Sequence, residues 1–224
     1  MTDQNPADQV TDYFEFDSLN CRESRLVWDY FHRQKEGVYV EVGANHPTEQ
    51  SLTWFLELQG WRGVLVEPNP ALYKLLCEQH PRSRTFQVAV GNPEDTGIAE
   101  LHLGVGHGQS AIKPDFDVEL SGEVVQVQMR TLNSVLAEAG VERIDFLSVD
   151  VEGMELDVLR GLELGRYSPQ LILIEDHVNH YRKHAYLRGQ GYRLVGGPGI
   201  TTGMFHETQR PLFSHWAACG KFGN

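Results

Sequence analysis

Four hydrophobic runs that each close on an acid constrain this chain most: Val38-Tyr39-Val40-Glu41, Val64-Leu65-Val66-Glu67, Phe146-Leu147-Ser148-Val149-Asp150 and Leu171-Ile172-Leu173-Ile174-Glu175-Asp176. Short runs this rich in β-branched and aromatic residues read as buried strands, and segments of helical periodicity lie between them. Strand and helix in alternation build a mostly parallel sheet with helices on both faces. Such a sheet collects the carboxyl ends of its strands along one edge, where open α/β sheets bind ligands. The acids are therefore expected to meet in one crevice.

The first run leads into Val42-Gly43-Ala44-Asn45, with a helix expected to open near Pro47. Backbone can approach a ligand closely at a glycine, and the first N–H groups of a helix would point into the same crevice. Glu67 follows at about the 20-residue distance at which an α/β nucleotide site places its ribose-binding carboxylate. A dinucleotide site would need G-x-G-x-x-G to admit the pyrophosphate, and only Gly43 is present. Glu41 would repel a diphosphate but suits the ammonium of a methionine moiety, so S-adenosylmethionine fits this pocket better than NAD. The plain alternative is an ordinary strand-to-helix turn with an incidental acid.

Residues 1–36 read as an N-terminal extension and a helix, the latter on the spacing of Leu26, Val27, Tyr30 and Phe31. Residues 37–224 read as one domain. Leu52, Phe55 and Leu56 mark the helix after the first strand, and Pro70 to His80 the helix after the second. Thr85 to Val90 reads as a third strand, and in such sheets the following loop borders the adenine. Ala99 to Leu103 and Val124 to Gln128 read as short strands around a glycine-rich segment carrying Ser110, either a lid or a surface hairpin. Helices are expected from Thr131 to Gly140, from Leu156 to Gly161 and from Val178 to Gly189. A strand at Tyr192 to Val195, a glycine-rich loop to Gly203 and a last strand near Phe213 to Ala218 complete the pattern.

A net charge of −12 argues against nucleic acid or an anionic membrane as the main partner, since both call for a basic face. Cys21, Cys77 and Cys219 are far apart with no C-x-x-C spacing, which favours a reducing compartment and packed thiols. No apolar run approaches the length of a membrane span, and the polar start has no signal-peptide core. A cytoplasmic location is expected, and homo-oligomerisation stays open.

Taken together, Val40-Glu41-Val42-Gly43-Ala44-Asn45, Val66-Glu67-Pro68-Asn69-Pro70, Val88-Ala89-Val90-Gly91, Gln109-Ser110 and Val149-Asp150-Val151-Glu152-Gly153-Met154-Glu155 resemble the FkbM-type methyltransferases. The Asp-Val-Glu-Gly run is the most specific part. The resemblance implies the class I, Rossmann-like methyltransferase fold, a seven-stranded sheet with a reversed terminal strand, and S-adenosylmethionine-dependent methylation, commonly of a hydroxyl oxygen. It implies Glu41, Gly43, Ala44, Asn45, Glu67, Pro68 and Ser110 as cofactor residues, with Asp150 near the methionine end. The chain departs from the family pattern at Glu41, where Asp is usual, and at His46-Pro47, which replaces an aliphatic-glycine pair.

Methyl transfer from a sulfonium is an in-line displacement, so the protein must hold donor and acceptor together and manage the acceptor's proton. A hydroxyl needs a base or a metal that lowers its pKa. Asp150, Glu175 and Asp176 offer hard oxygen ligands suited to Mg²⁺, Ca²⁺ or Mn²⁺. They could equally hydrogen-bond backbone or cofactor with no ion. His177, with His180 behind it, is the candidate base beside Asp150, or else belongs to a solvated helix face; a histidine zinc site with Glu175 is a minor third reading. The expected activity is O-methylation of a sugar or polyhydroxylated small molecule with a divalent cation. The competing readings are a metal-independent enzyme acting on nitrogen or on a protein- or lipid-linked acceptor, a non-catalytic nucleoside-binding subunit, and, last, an NAD oxidoreductase.

Overall fold

The computed structural model describes residues 20–49, 51–105, 110–113, 119–175, 180–196 and 201–206. Helix α1 (Asn20–Tyr30) precedes strand β1 (Val38–Val42), and α2 (Trp54–Leu58) connects it to β2 (Arg62–Val66). Then come α3 (Pro70–Gln79), β3 (Arg84–Phe86), β4 (Ala89–Val90), a 3₁₀ turn (Pro93–Asp95), β5 (Gly97–Gly104), β6 (Leu120–Arg130) and α4 (Leu132–Ala139). The chain continues through β7 (Phe146–Val149), α5 (Glu155–Arg160), α6 (Leu164–Tyr167), β8 (Leu171–Glu175), α7 (His180–Gly189), β9 (Tyr192–Gly196) and β10 (Thr201–His206).

Seven strands form the main sheet in the order β3-β2-β1-β7-β8-β10-β9. The first five are mutually parallel, and β10 runs antiparallel to both β8 and β9. The expected α/β class and the reversed strand are both present. A second, three-stranded sheet in the order β4-β6-β5 stands beside it, with β5 and β6 an antiparallel hairpin.

Residue parity along the strands sorts the core into two layers, because alternate side chains leave a strand on opposite faces. Val40, Val42, Val64, Val66, Leu147, Val149, Ile172 and Ile174 pack with Leu132 and Val135 of α4, Val158 and Leu159 of α5, and Leu187 of α7. Tyr39, Leu65, Phe146, Leu171 and Leu173 pack with Leu26, Val27 and Phe31 around α1, with Phe55 and Leu56 of α2, and with Leu76 of α3. Burial on both faces is why these strands read as unbroken apolar runs rather than as alternating ones. Thr131 caps α4 by accepting the Ser134 N–H at 3.2 Å, and Gly140 ends it in the left-handed conformation at φ +69°.

Three expectations are corrected. The helix after β1 starts at Trp54 and not near Pro47, because the His46 and Ser51 side chains take up the N–H groups of Glu49 and Trp54. The third strand breaks after Phe86: Arg84–Phe86 pairs with β2, whereas Ala89–Val90 pairs with β6 in the second sheet. A strand at Thr201–His206 pairs with β8 and β9 where a glycine-rich loop was expected through Gly203. Residues 213–218, the expected last strand, lie outside the described residues. Among the described residues no helix is long and apolar enough to cross a membrane.

Candidate active site

The parity that sorts the core also assembles the site. Glu41 lies two residues beyond Tyr39, Glu67 two beyond Leu65, Asp150 four beyond Phe146 and Glu175 two beyond Leu173, so all four acids belong to the same sheet face. The register Val42↔Val66, Val42↔Val149 and Val149↔Ile174 brings their strand tips level. One cleft opens there, lined by all four acids and by Gly43, Ala44, Asn45 and Pro68 from the first two turns. Ala89, Val90 and Leu101 of the second sheet, with Ser110 and Ile112 from the segment between β5 and β6, complete the lining.

Glu67 is 4% exposed and holds two turns at once. Its Oε2 accepts the Asn45 N–H at 2.8 Å and its Oε1 the Asn69 N–H at 2.8 Å. Burial pushes its carboxyl up to about 7 in spite of those two donors. Asn45 sits at φ +51°, and its Oδ1 is buried without a hydrogen-bond partner among the described residues. A buried acceptor left unpaired at the wall of a cleft costs free energy that a ligand donor would recover. Glu41 accepts the Thr53 hydroxyl at 2.5 Å, and burial likewise pushes its carboxyl up to about 7.

Gly43 has a reason besides the one expected. At φ +82° a Cβ there would lie 1.7 Å from the Asp150 carbonyl oxygen, so the glycine lets β1 meet the β7 tip while it lines the cleft. Ser110 lines the cleft, where its Oγ accepts the Gly104 N–H at 3.3 Å.

On the far side, ligand oxygens of Asp150, Glu152 and Glu175 all lie within 4.8 Å of one another. Glu152 received no role from the sequence; a left-handed turn at φ +54° brings it back toward Asp150. Asp150 is exposed at the cleft, but the surrounding protein and the neighbouring Glu175 carboxyl hold its pKa well above the usual carboxylate range. Burial, then the charge of Glu152, raises Glu175 to about 7. Two carboxyls in hydrogen-bonding contact resist a second ionisation, so the pair retains a proton on the Asp150 side. Asp176 and His177 lie outside the described residues, as does the side chain of His180, whose backbone opens α7.

Two further groups were not foreseen. Glu23 of α1 lines the cleft and faces Asp150 closely enough to raise its pKa further. Glu155 takes the Gly153 N–H at 2.8 Å and pairs with Lys183 at 3.2 Å, both side chains 2% exposed. Lys183 also donates to the Glu175 carbonyl, which ties α7 to the tip of β8 and to the Asp150–Glu155 turn. Nothing in the local sequence of this helix, which has few apolar residues, marks the lysine as buried.

Residues 41–194 match the Methyltransferase FkbM domain family, which is more than half of the chain. The chain belongs to the FkbM methyltransferase family. That membership implies S-adenosylmethionine as the methyl donor. The fold is similar to that of Methyltransferase FkbM from Methylobacillus flagellatus KT, with a TM-score of 0.53, 16% identity, and coverage of 88% of this chain and 50% of that one. At this identity the likeness speaks for the fold alone. A segment of 47 residues is 45% identical to AMB antimetabolite synthetase AmbE of Pseudomonas aeruginosa, covering 21% of this chain and 2% of that protein. The FkbM-family chain thus spans half of the structural relative and a small part of the curated one.

Proposed function

We propose that this FkbM-family protein is an S-adenosylmethionine-dependent O-methyltransferase acting on a hydroxyl of a sugar or polyhydroxylated natural product, assisted by a divalent cation. The observation that carries the reading is Glu67: a buried carboxylate fixed through both oxygens by the Asn45 and Asn69 N–H groups, at a strand tip beside the Gly43 turn. The remaining lone pairs of such a carboxylate suit two adjacent ribose hydroxyls. The unpaired Asn45 Oδ1 and the acid Glu41 suit a cationic methionine end. The short likeness to an antimetabolite synthetase supports a natural-product acceptor.

The donor supplies an activated methyl group that passes in line to the acceptor oxygen as the carbon–sulfur bond breaks. The protein's part is orientation and proton removal. Glu67, Asn45 and Glu41 would hold the donor, and the apolar side chains of Leu101 and Ile112 line the same cleft. Asp150, Glu152 and Glu175 form a hard oxygen donor set that fits Mg²⁺, Ca²⁺ or Mn²⁺. An ion held there would displace the proton that Asp150 and Glu175 share and lower the pKa of the acceptor hydroxyl, and the Asp150 carboxylate so freed would take the hydroxyl's proton.

A second reading keeps the donor site and places an amine at the acceptor end without a metal, favoured by the acids Glu23, Asp150, Glu152 and Glu175 in one lining. Chelation separates the two. With a hydroxylated acceptor panel, EDTA is expected to lower S-adenosylhomocysteine formation roughly tenfold or more, and Mg²⁺ to restore it. Glu152→Gln is expected to raise the Mg²⁺ concentration required. Turnover indifferent to EDTA, together with methylation of amines alone, would select the second reading.

A further inference from the structure

Behind the cleft loop lies a buried charged pair with no part in the chemistry above. His80 follows α3 and is 1% exposed, and Glu57 of α2 is 5% exposed. His80 Nδ1 lies 2.9 Å from Glu57 Oε2, and Nε2 lies 2.9 Å from the Pro47 carbonyl oxygen. A carbonyl can only accept, so Nε2 carries a hydrogen. Glu57 is ringed by donors: the Arg82 N–H at 3.0 Å, the Ser83 hydroxyl at 2.6 Å and the Tyr39 hydroxyl at 3.1 Å. These stabilise its ionised form, so Nδ1 must donate as well. A ring donating from both nitrogens is an imidazolium.

The surroundings agree. Burial opposes charge on both partners, yet the bonds to Glu57 and Pro47 raise the His80 pKa above its ordinary 6.5, and the bonds from His80, Ser83 and Arg82 lower that of Glu57. Glu41 also acts on the ring, and it too favours the cation. The Trp54 ring packs edge-on at 5.0 Å, and the Tyr39 phenol is held neutral by burial and by Glu57.

Pro47 belongs to the segment that joins the cleft residues Asn45 and Glu49 to α2. Proline offers no N–H, so the carbonyl is its one backbone hydrogen-bonding group. The N-terminal end of α3 already holds this segment through Asn69, Glu67 and Asn45, and its C-terminal end holds it through His80 and Pro47. We propose that His80 is a positioning residue of the donor site: as an imidazolium it fixes the Pro47 carbonyl, and with it the Asn45–Glu49 wall that the donor needs. When the ring loses a proton, ionised Glu57 keeps the remaining hydrogen on Nδ1. Nε2 then turns a lone pair toward the Pro47 carbonyl, and the wall is released.

This inference rests on reading the cleft as the donor site, and its test keeps the two apart. Ring ¹⁵N shifts of the full chain are expected to show both His80 nitrogens protonated at neutral pH. S-adenosylhomocysteine affinity, titrated calorimetrically, is expected to carry a falling component of about tenfold as pH rises through the ring's midpoint, set against the opposite trend of Glu67 and Glu41 and roughly the worth of one charge-assisted hydrogen bond. His80→Gln keeps an amide donor but does not titrate, so that falling component should be missing from its pH profile. Glu57→Gln/His80→Gln, which buries no uncompensated charge, should behave alike if the single variant folds poorly. A neutral ring at pH 7, or a falling component of equal size in the variants, overturns the inference while leaving the donor site intact. Failure of the wild-type chain to bind at any pH sinks the donor-site reading, and this inference with it.

Discussion

Glu67→Ala is expected to weaken S-adenosylhomocysteine binding by about 3 kcal/mol, roughly a hundredfold, since each hydrogen bond to a charged group contributes about 1.5–3 kcal/mol. The loss has two sources. Both proposed ribose contacts would disappear, and the Asn45 and Asn69 N–H groups lose the carboxylate that sets the two turns against each other. Glu67→Gln separates them, because its amide oxygen still accepts while the charge is gone, and a loss of intermediate size is expected. The proton balance adds a pH signature. The ligand-free carboxyl is raised to about 7, whereas accepting two hydroxyls favours its ionised form, so binding expels a proton. In the His80→Gln background, which lacks the opposing histidine titration, affinity should therefore climb as pH rises toward about 7, and the climb should be much reduced when Glu67→Ala is added, leaving the smaller part due to Glu41. Calorimetry in buffers of different ionisation enthalpy would read that proton directly. An affinity within threefold of wild type in the alanine variant would remove Glu67 from the donor site.

The parts of this site that the sequence discloses are those fixed by strand parity. β1, β2, β7 and β8 are buried on both faces, so each shows as an apolar run, and an acid at each tip needs only a count of two or four residues to be placed on the shared face. What the sequence hides depends on backbone conformations and on contacts between distant segments. Glu152 falls between a strand and the helix expected from Leu156; only its left-handed conformation turns it toward Asp150, and no local signal marks a non-glycine residue for that region. The segment after Asn45 carries a proline and an acid, Glu49, as a helix start would, but the His46 ring and the Ser51 hydroxyl take the N–H groups of Glu49 and Trp54. His80 resembles a helix terminus followed by proline, and its partners Glu57 and Pro47 lie 23 and 33 residues away. The strand at Thr201–His206 contains Gly203, where the pairing with β9 shifts register, and glycine in a strand imitates a loop.

The tightest constraint in the site is steric, and it yields the largest expected effect on stability. Gly43→Ala would put a methyl group 1.7 Å from the Asp150 carbonyl oxygen and 2.9 Å from its carbon, at a backbone φ of +82°. Neither side can yield without loss. The Gly43 and Ala44 N–H groups are held by the Val66 carbonyl at 3.0 and 3.2 Å, and the Asp150 N–H by the Val42 carbonyl at 3.0 Å. Relief must separate β1 from β7 or from β2 at the cleft. The left-handed conformation alone costs about 1–2 kcal/mol for a residue with a Cβ. Forcing extra volume into packed structure adds about 1–3 kcal/mol, so a total near 3 kcal/mol is expected. In a domain of this length that corresponds to a melting point lower by about 6–12 °C. Gly140→Ala is the matched control: its φ is +69°, but nothing lies within 4 Å of the added methyl group, so it should lose only the conformational part. Thermal melts followed by circular dichroism would compare them. Equal shifts for the two variants would mean that the Gly43 turn tolerates the methyl group, and that the close approach of β1 to Asp150 is not what demands a glycine there.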